Sequence, residues 1–201
     1  MTACEKISKT AARLMIFLVS LSFLAPSLPA DAKAPSVGRS ALEQARPHNF
    51  PDYAIYSKDV RRLLFEPPKS LVGETELACI AVAVYHEARG EKMAGQEAVA
   101  SVIVQRAIVP HRWGRTPCAV VKPVQFSFMQ DPSHIPPIEE NVAWALALTV
   151  AVKALVEGPS PDLRGADHYH ADSVSPTWPE AMERIEQIGA HIFYRDPLSH
   201  R

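Results

Sequence analysis

The stretch Tyr85-His86-Glu87-Ala88-Arg89-Gly90-Glu91 puts an imidazole, two carboxylates and a guanidinium within seven residues. His86 followed by Glu87 opens like the zinc pattern H-E-x-x-H, in which a second His four residues after the first sends both rings from one helix face to the same ion. Gly90 stands at that position and offers no ligand. The Glu87 carboxyl therefore needs another role. It lies three residues after Val84 and seven after Ile80, so it continues an inward helical stripe where Gly90 ends the helix. Partial desolvation at such an edge disfavours the charged form and raises a carboxyl pKa toward that of a working general acid. Glycosidic cleavage needs such a donor, because the leaving oxygen takes a proton as the bond breaks. The plainer alternative is a structural carboxylate paired with Arg89 or Arg106. Glu91, one turn on, is a possible supporting acid, a cap, a salt-bridge partner or a like charge that raises its neighbour's pKa.

The elements that must position these groups are mainly helical. Leu77, Ile80, Ala81, Val84 and Ala88 recur at three- and four-residue spacing after Thr75, a plausible N-cap. A second helix is expected from Gly95 to Ile108, with Ala98, Val99, Val102 and Ile103 inward and Pro110 helping to end it. A third, Glu139 to Glu157, is apolar on nearly every side, as a helix in the middle of a bundle would be, and stops at Gly158 and Pro159. It is too short to read as a membrane span. A last helix is expected over Pro179 to Ile188, and the extended pieces "AVVK" and "HIFY" could make a small sheet beside the Pro-rich region Pro110 to Pro137. The fold class is thus mainly α with a small β element.

Ahead of this domain the chain reads as an export signal over residues 1–32. Lys6, Lys9 and Arg13 precede the apolar run Leu14 to Ala25, and Ala30 and Ala32 flank Asp31 before the expected cleavage point. The apolar run is shorter than the ~20 residues of a spanning helix, so no stable membrane span is expected after cleavage. Residues 33–72 read as a Pro-rich linker or arm with a short helix at Tyr53 to Phe65, and residues 73–197 as the catalytic domain. Cys4 would leave with the signal. Cys79 and Cys118 remain as an even pair in a disulfide-permitting compartment, and a bridge between them is expected, the alternative being two buried thiols. A formal charge of −1 with interspersed signs argues against a nucleic-acid partner. A monomer, secreted or periplasmic, is expected.

The block "ACIAVAVYHEARGEKMAGQEAVASVIVQR" resembles the signature of the SleB-type cell-wall hydrolases, the family of spore-cortex-lytic enzymes. "TPCAVVKPVQFSF" and "GADHYHADSVSPTW…IGAHIFYR" resemble its later motifs, so the likeness runs from Glu74 to Arg195. Gln105 departs from the usual Asn before Arg106, and His86 from the residue common there. The resemblance implies a compact helical domain related to lysozyme and lytic transglycosylases, acting on peptidoglycan glycan strands without a cofactor or metal. It implies that Glu87, the first Glu of E-A-R-G-E, is the catalytic acid. One dominant acid suits transglycosylation, in which the same Glu returns as base and draws a proton from the sugar's 6-hydroxyl to close a 1,6-anhydro ring.

The remaining motif residues are candidate walls of a saccharide groove. Arg89, Gln125 and Ser127 offer hydrogen bonds, and Phe126, Phe128, Tyr169 and Trp178 could stack on sugar faces, about two of these four being expected as buried packing. His168 and His170, at i and i+2 on an extended segment, point the same way. They would line the groove or buttress it. With His86 or Asp172 they could instead hold a metal, the basis of an alternative reading as a metal-dependent peptidoglycan amidase or peptidase. A third reading, a non-catalytic glycan-binding envelope protein, keeps the groove but has no use for an acid at Glu87.

Overall fold

The computed structural model describes residues 53–109 and 112–199 of the 201-residue chain. The expected signal segment, the first half of the expected linker, and Pro110 lie outside the described residues. Five α-helices and a three-stranded antiparallel sheet make up the described domain, and none of these helices is long and apolar enough to cross a membrane.

Helix α1 (Ser57–Phe65) follows a 3-10 turn (Tyr53–Tyr56). It is part of the packed body: Leu63 is fully buried, and its carbonyl accepts a 2.8 Å bond from Trp144 Nε1. Helix α2 (Glu76–Ala88) starts at Thr75, whose side chain accepts from the Ala78 N–H. Helix α3 (Met93–Ala107) buries Ala98, Val99, Val102 and Ile103, the four residues its periodicity turns inward. A short helix α4 (Pro117–Val120) carries Cys118, and helix α5 (Asn141–Glu157) closes the bundle.

The middle of the bundle is α2, not the third long helix as its all-round apolarity suggested. Every residue from Leu77 to Tyr85 is buried, whereas α5 leaves Val142 86 % exposed. The cause is residue size: Ala78, Ala81 and Ala83 let both α3 and α5 pack closely on α2, and those two helices also pack on each other. Tyr85 then joins two helices. Its phenolic oxygen accepts the N–H groups of Glu139 and Glu140, both at 3.1 Å, at the start of α5, where Glu140 makes no side-chain cap.

Two further expectations are corrected. "AVVK" is not extended: Pro117 suits the first helical position and Thr116 accepts from the Ala119 N–H, so α4 forms instead. The Cys79–Cys118 disulfide and a 2.7 Å bond from the Cys118 N–H to Glu76 Oε2 bind α4 to α2. Nor is Pro179 to Ile188 a helix. Trp178–Ala181 is a 3-10 turn, and Glu183–Ile188 is strand β2, paired with β3 (His191–Arg195), which also pairs with β1 (His168–Ala171) in the order β1-β3-β2. Ile185 and Ile188 have helical spacing, but a bulge between Arg184 and Glu186 adds one residue to β2 and lets both pack on the core.

The β2–β3 turn is seated on the segment joining α2 to α3. Glu91 Oε1 accepts the Ala190 N–H at 3.2 Å, and Gly189 adopts φ +60° against the same side chain. A Cβ on Gly189 would lie 1.8 Å from Glu91 Oε2. Gln96, itself buried, ties down the Glu91 carbonyl at 3.1 Å. Gly189→Ala must therefore adopt an unfavourable φ and push Glu91 off the turn. It should lower unfolding stability by about 2 kcal/mol, the sum of a backbone penalty and a lost hydrogen bond. In chemical denaturation the same change in a Glu91→Ala background should cost distinctly less; equal costs in both backgrounds would show that the carboxylate does not hold the turn.

Candidate active site

Glu87 sits in the last turn of α2, where the core helix reaches a half-buried edge. Two other elements bring donors to it. The Tyr169 hydroxyl on β1 donates to Glu87 Oε2 at 3.4 Å, and Ser127, in the loop after α4, donates through both its hydroxyl and its N–H. Burial raises the Glu87 pKa above the ordinary glutamate value, and the bonds from Tyr169 and Ser127 and the charge of Arg106 only partly offset that rise. Tyr169 is held as a proton donor, because burial and the adjacent Glu87 charge push its pKa up.

Behind this trio lies a buried cation. Arg106, on α3, is 5 % exposed, and its Nε donates to the Asp167 carbonyl at 2.7 Å. Its guanidinium lies over the Trp113 ring at 4.4 Å, with Arg112 also in contact with Trp113 at 4.8 Å, and faces Phe126 at 5.9 Å. Burial lowers the Arg106 pKa, against the raising influence of Tyr169, Asp167 and Glu87. Its Nη1 has no hydrogen-bond partner among the described residues, so the charge acts on Glu87 through space and not as an ion pair. The fully buried Asp167 completes the layer, its Oδ1 accepting from the Asp196 N–H at 3.0 Å and bonded to His168 Nδ1 at 2.8 Å. Burial pushes the Asp167 pKa up, but bonds from His168, Ser199 and the Asp196 N–H outweigh it and leave the pKa below the usual value.

The other candidates are distributed differently. Arg89 turns to Glu140 at 3.0 Å and lies over the Tyr85 ring, so it is not paired with Glu87. Glu91 is occupied by the hairpin turn. Phe126 is 3 % exposed and packs in the core, which corrects its assignment as a sugar-stacking surface; Phe128 is half-buried against the His86 ring at 4.7 Å. Gln125 is half-buried in the loop that carries Ser127.

Strand alternation divides the "HYHAD" segment. Tyr169 faces Glu87, which leaves His168 and His170 on the other face of β1, where both rings contact Trp178, at 5.4 and 5.6 Å. His170 Nε2 is bonded to the Tyr194 hydroxyl and its Nδ1 lies 2.8 Å from the Ala171 carbonyl. Asp172 is bonded to Gln187. His86 is kept neutral, its pKa lowered to about 4 by burial and by Arg89, despite a bond to the Pro136 backbone. The residues of the metal alternative thus do not converge, and no group of three or more His, Cys, Asp or Glu among the described residues is placed to hold an ion.

Sequence reading placed Glu87, Ser127 and Tyr169 among the candidates but gave no role to Asp167 or Trp113. Asp167 directly precedes the two histidines, and an acid so close to the motif was the available signal. Nothing in the spacing marks Trp113.

A model of the Cell Wall Hydrolase family matches residues 90–194, which takes in Arg106, Ser127 and Tyr169 and begins just past Glu87. The spore cortex-lytic enzyme of Bacillus subtilis (strain 168) is 29 % identical over 119 residues, 59 % of this chain and 37 % of that protein. The spore cortex-lytic enzyme of Halalkalibacterium halodurans is 28 % identical over 120 residues, 60 % of this chain and 34 % of that one. The chain thus spans about a third of the length of these curated relatives. Among solved structures, the catalytic domain of the Bacillus cereus SleB protein is 29 % identical with a TM-score of 0.47, covering 63 % of this chain and 96 % of that one. The catalytic domain of the germination-specific lytic transglycosylase SleB from Bacillus anthracis is 30 % identical with a TM-score of 0.48, covering 61 % and 98 %. With more than half of its residues inside the family match, the chain belongs to the cell wall hydrolase family.

Proposed function

We propose that this protein cleaves the glycan backbone of peptidoglycan as a lytic transglycosylase, with Glu87 acting first as acid and then as base. The observation that carries the reading is the Glu87 carboxyl, half-buried, raised in pKa and met by two donors from separate elements. A protonated Glu87 gives its proton to the glycosidic oxygen as the bond to the N-acetylmuramic acid C1 breaks, leaving oxocarbenium character on the sugar. The resulting carboxylate is received by Tyr169, Ser127 and the charge of Arg106, interactions that strengthen as the negative charge develops. It then takes the proton of the sugar's own 6-hydroxyl as O6 bonds to C1. The proton balance closes on one residue, and the product is a 1,6-anhydro sugar.

A single acid is supported by the fate of its neighbour, since Glu91 is committed to the Ala190 N–H. Kinship with proteins named spore cortex-lytic enzyme supports the substrate class. The disulfide supports a secreted or periplasmic location. Gln125 and Phe128, near Ser127, and Trp178 with its two histidines, on the far face of β1, are the proposed further contacts for the strand.

Glu87→Gln keeps the size of the side chain but removes its proton. Release of muropeptides from purified peptidoglycan should fall by roughly 10²- to 10⁴-fold, with unchanged thermal unfolding and retained sedimentation with sacculi. Mass spectrometry of the wild-type digest should find anhydro-muropeptides; reducing-end products would replace transglycosylation by hydrolysis, and free stem peptides would overturn glycan cleavage. Activity should also survive EDTA, and a loss restored by zinc alone would favour the metal reading.

A further inference from the structure

The loop that carries Ser127 contains a residue in a conformation its type disfavours. Lys122-Pro123-Val124-Gln125 forms a turn closed by a 3.2 Å bond from the Gln125 N–H to the Lys122 carbonyl, and Val124 has φ +77°. Pro followed by a residue at positive φ is a type II turn, whose third position calls for Gly or Asn. A β-branched residue is the least suited to it. Of the other described residues with positive φ, all but Arg164 are glycine.

Strain of this kind is usually repaid by packing. Val124 packs on nothing: it is 97 % exposed. The turn is nonetheless firmly held, with Val121 and Phe126 buried on either side and Lys122 Nζ bonded to the Trp113 carbonyl at 3.2 Å. An isopropyl group is thereby presented to solvent three residues before Ser127, within about 10 Å of the residue that donates to Glu87. Strained side chains of this sort concentrate at ligand contacts.

We propose that Val124 is a substrate-contact residue, which packs against an apolar patch of the glycan strand bound across Glu87. That patch is either the C–H face of a pyranose ring or the methyl of an N-acetyl group. The proposal rests on the glycan-cleaving reading above and adds a specificity residue to it.

Glycine relieves the backbone and removes the contact, so the two effects of Val124→Gly oppose each other. The full chain carrying Val124→Gly should melt no lower than wild type, while its KM for soluble glycan strands rises by about 5- to 20-fold with kcat within twofold. Val124→Asn, which tolerates the same φ, should lose KM in the same way. A wild-type KM in Val124→Gly, or a clearly lowered melting temperature showing that the side chain packs in the fold, overturns the proposal. Sedimentation with sacculi compares Glu87→Gln with Glu87→Gln/Val124→Gly and reads the contact without turnover. Weaker binding of the double variant supports the contact even if wild type proves inactive and the catalytic reading fails; equal binding, with wild type active, removes the contact alone. On N-deacetylated strands, a vanished penalty assigns the contact to the acetyl methyl and a persistent one to the ring face, and both sustain it.

Discussion

The site depends on one constraint: a carboxyl group is carried to the edge of the most deeply buried helix and left there only partly hydrated. Desolvation raises the Glu87 pKa, and the bonds from Tyr169 and Ser127 temper that rise. Each donor comes from a different element, so the chemistry needs α2, the loop after α4 and β1 in fixed register. The rest of the fold supplies that register. The Cys79–Cys118 bridge holds α4 and its following loop to α2, Tyr85 fixes α5 from a position two residues before Glu87, and Glu91 seats the hairpin that pairs with β1 through β3.

Arg106 shows how a buried cation can serve without forming a salt bridge. A direct ion pair would hold Glu87 ionised and unable to donate its proton. Arg106 instead spends its Nε on the Asp167 carbonyl and stacks its guanidinium on Trp113, which leaves a tempered positive field behind the acid. Asp167, kept ionised by its own bonds, balances that charge within the buried layer. The arrangement favours a carboxyl that can lose a proton and regain one.

Much of this was legible in local pattern. The spacing from Leu77 to Ala88 and from Ala98 to Ile103 specifies helices because each side chain's burial follows its angular position, and Thr75 marks a start by its capping chemistry. Glu87 could be singled out because Gly90 removed the zinc alternative. Where the reading failed, a non-local contact decided. "ERIEQI" has helical spacing of its isoleucines, but pairing with β3 and one bulged residue make it a strand. Trp144 and Leu148 give α5 a buried face, yet only tertiary packing reveals that small-residue α2 takes the centre. The separation of Tyr169 from its flanking histidines follows from strand alternation, but which face meets Glu87 is set by the sheet. Phe126 and Trp113 face the Arg106 guanidinium with their rings, a role no spacing encodes.

The central claim is that Glu87 is a tempered acid, and its own titration tests that most directly. Carbon-13 NMR of the glutamate side-chain carboxyls, with the Glu87 resonance assigned by its loss in Glu87→Gln, should give a midpoint above the ordinary glutamate value of about 4.3. Replacing Ser127 with Ala should move it higher still, because that residue's hydroxyl bond to the carboxylate opposes the rise. A Glu87 midpoint at or below the ordinary value would mean that the carboxyl is a resting anion, and the account of it as a proton donor would be wrong.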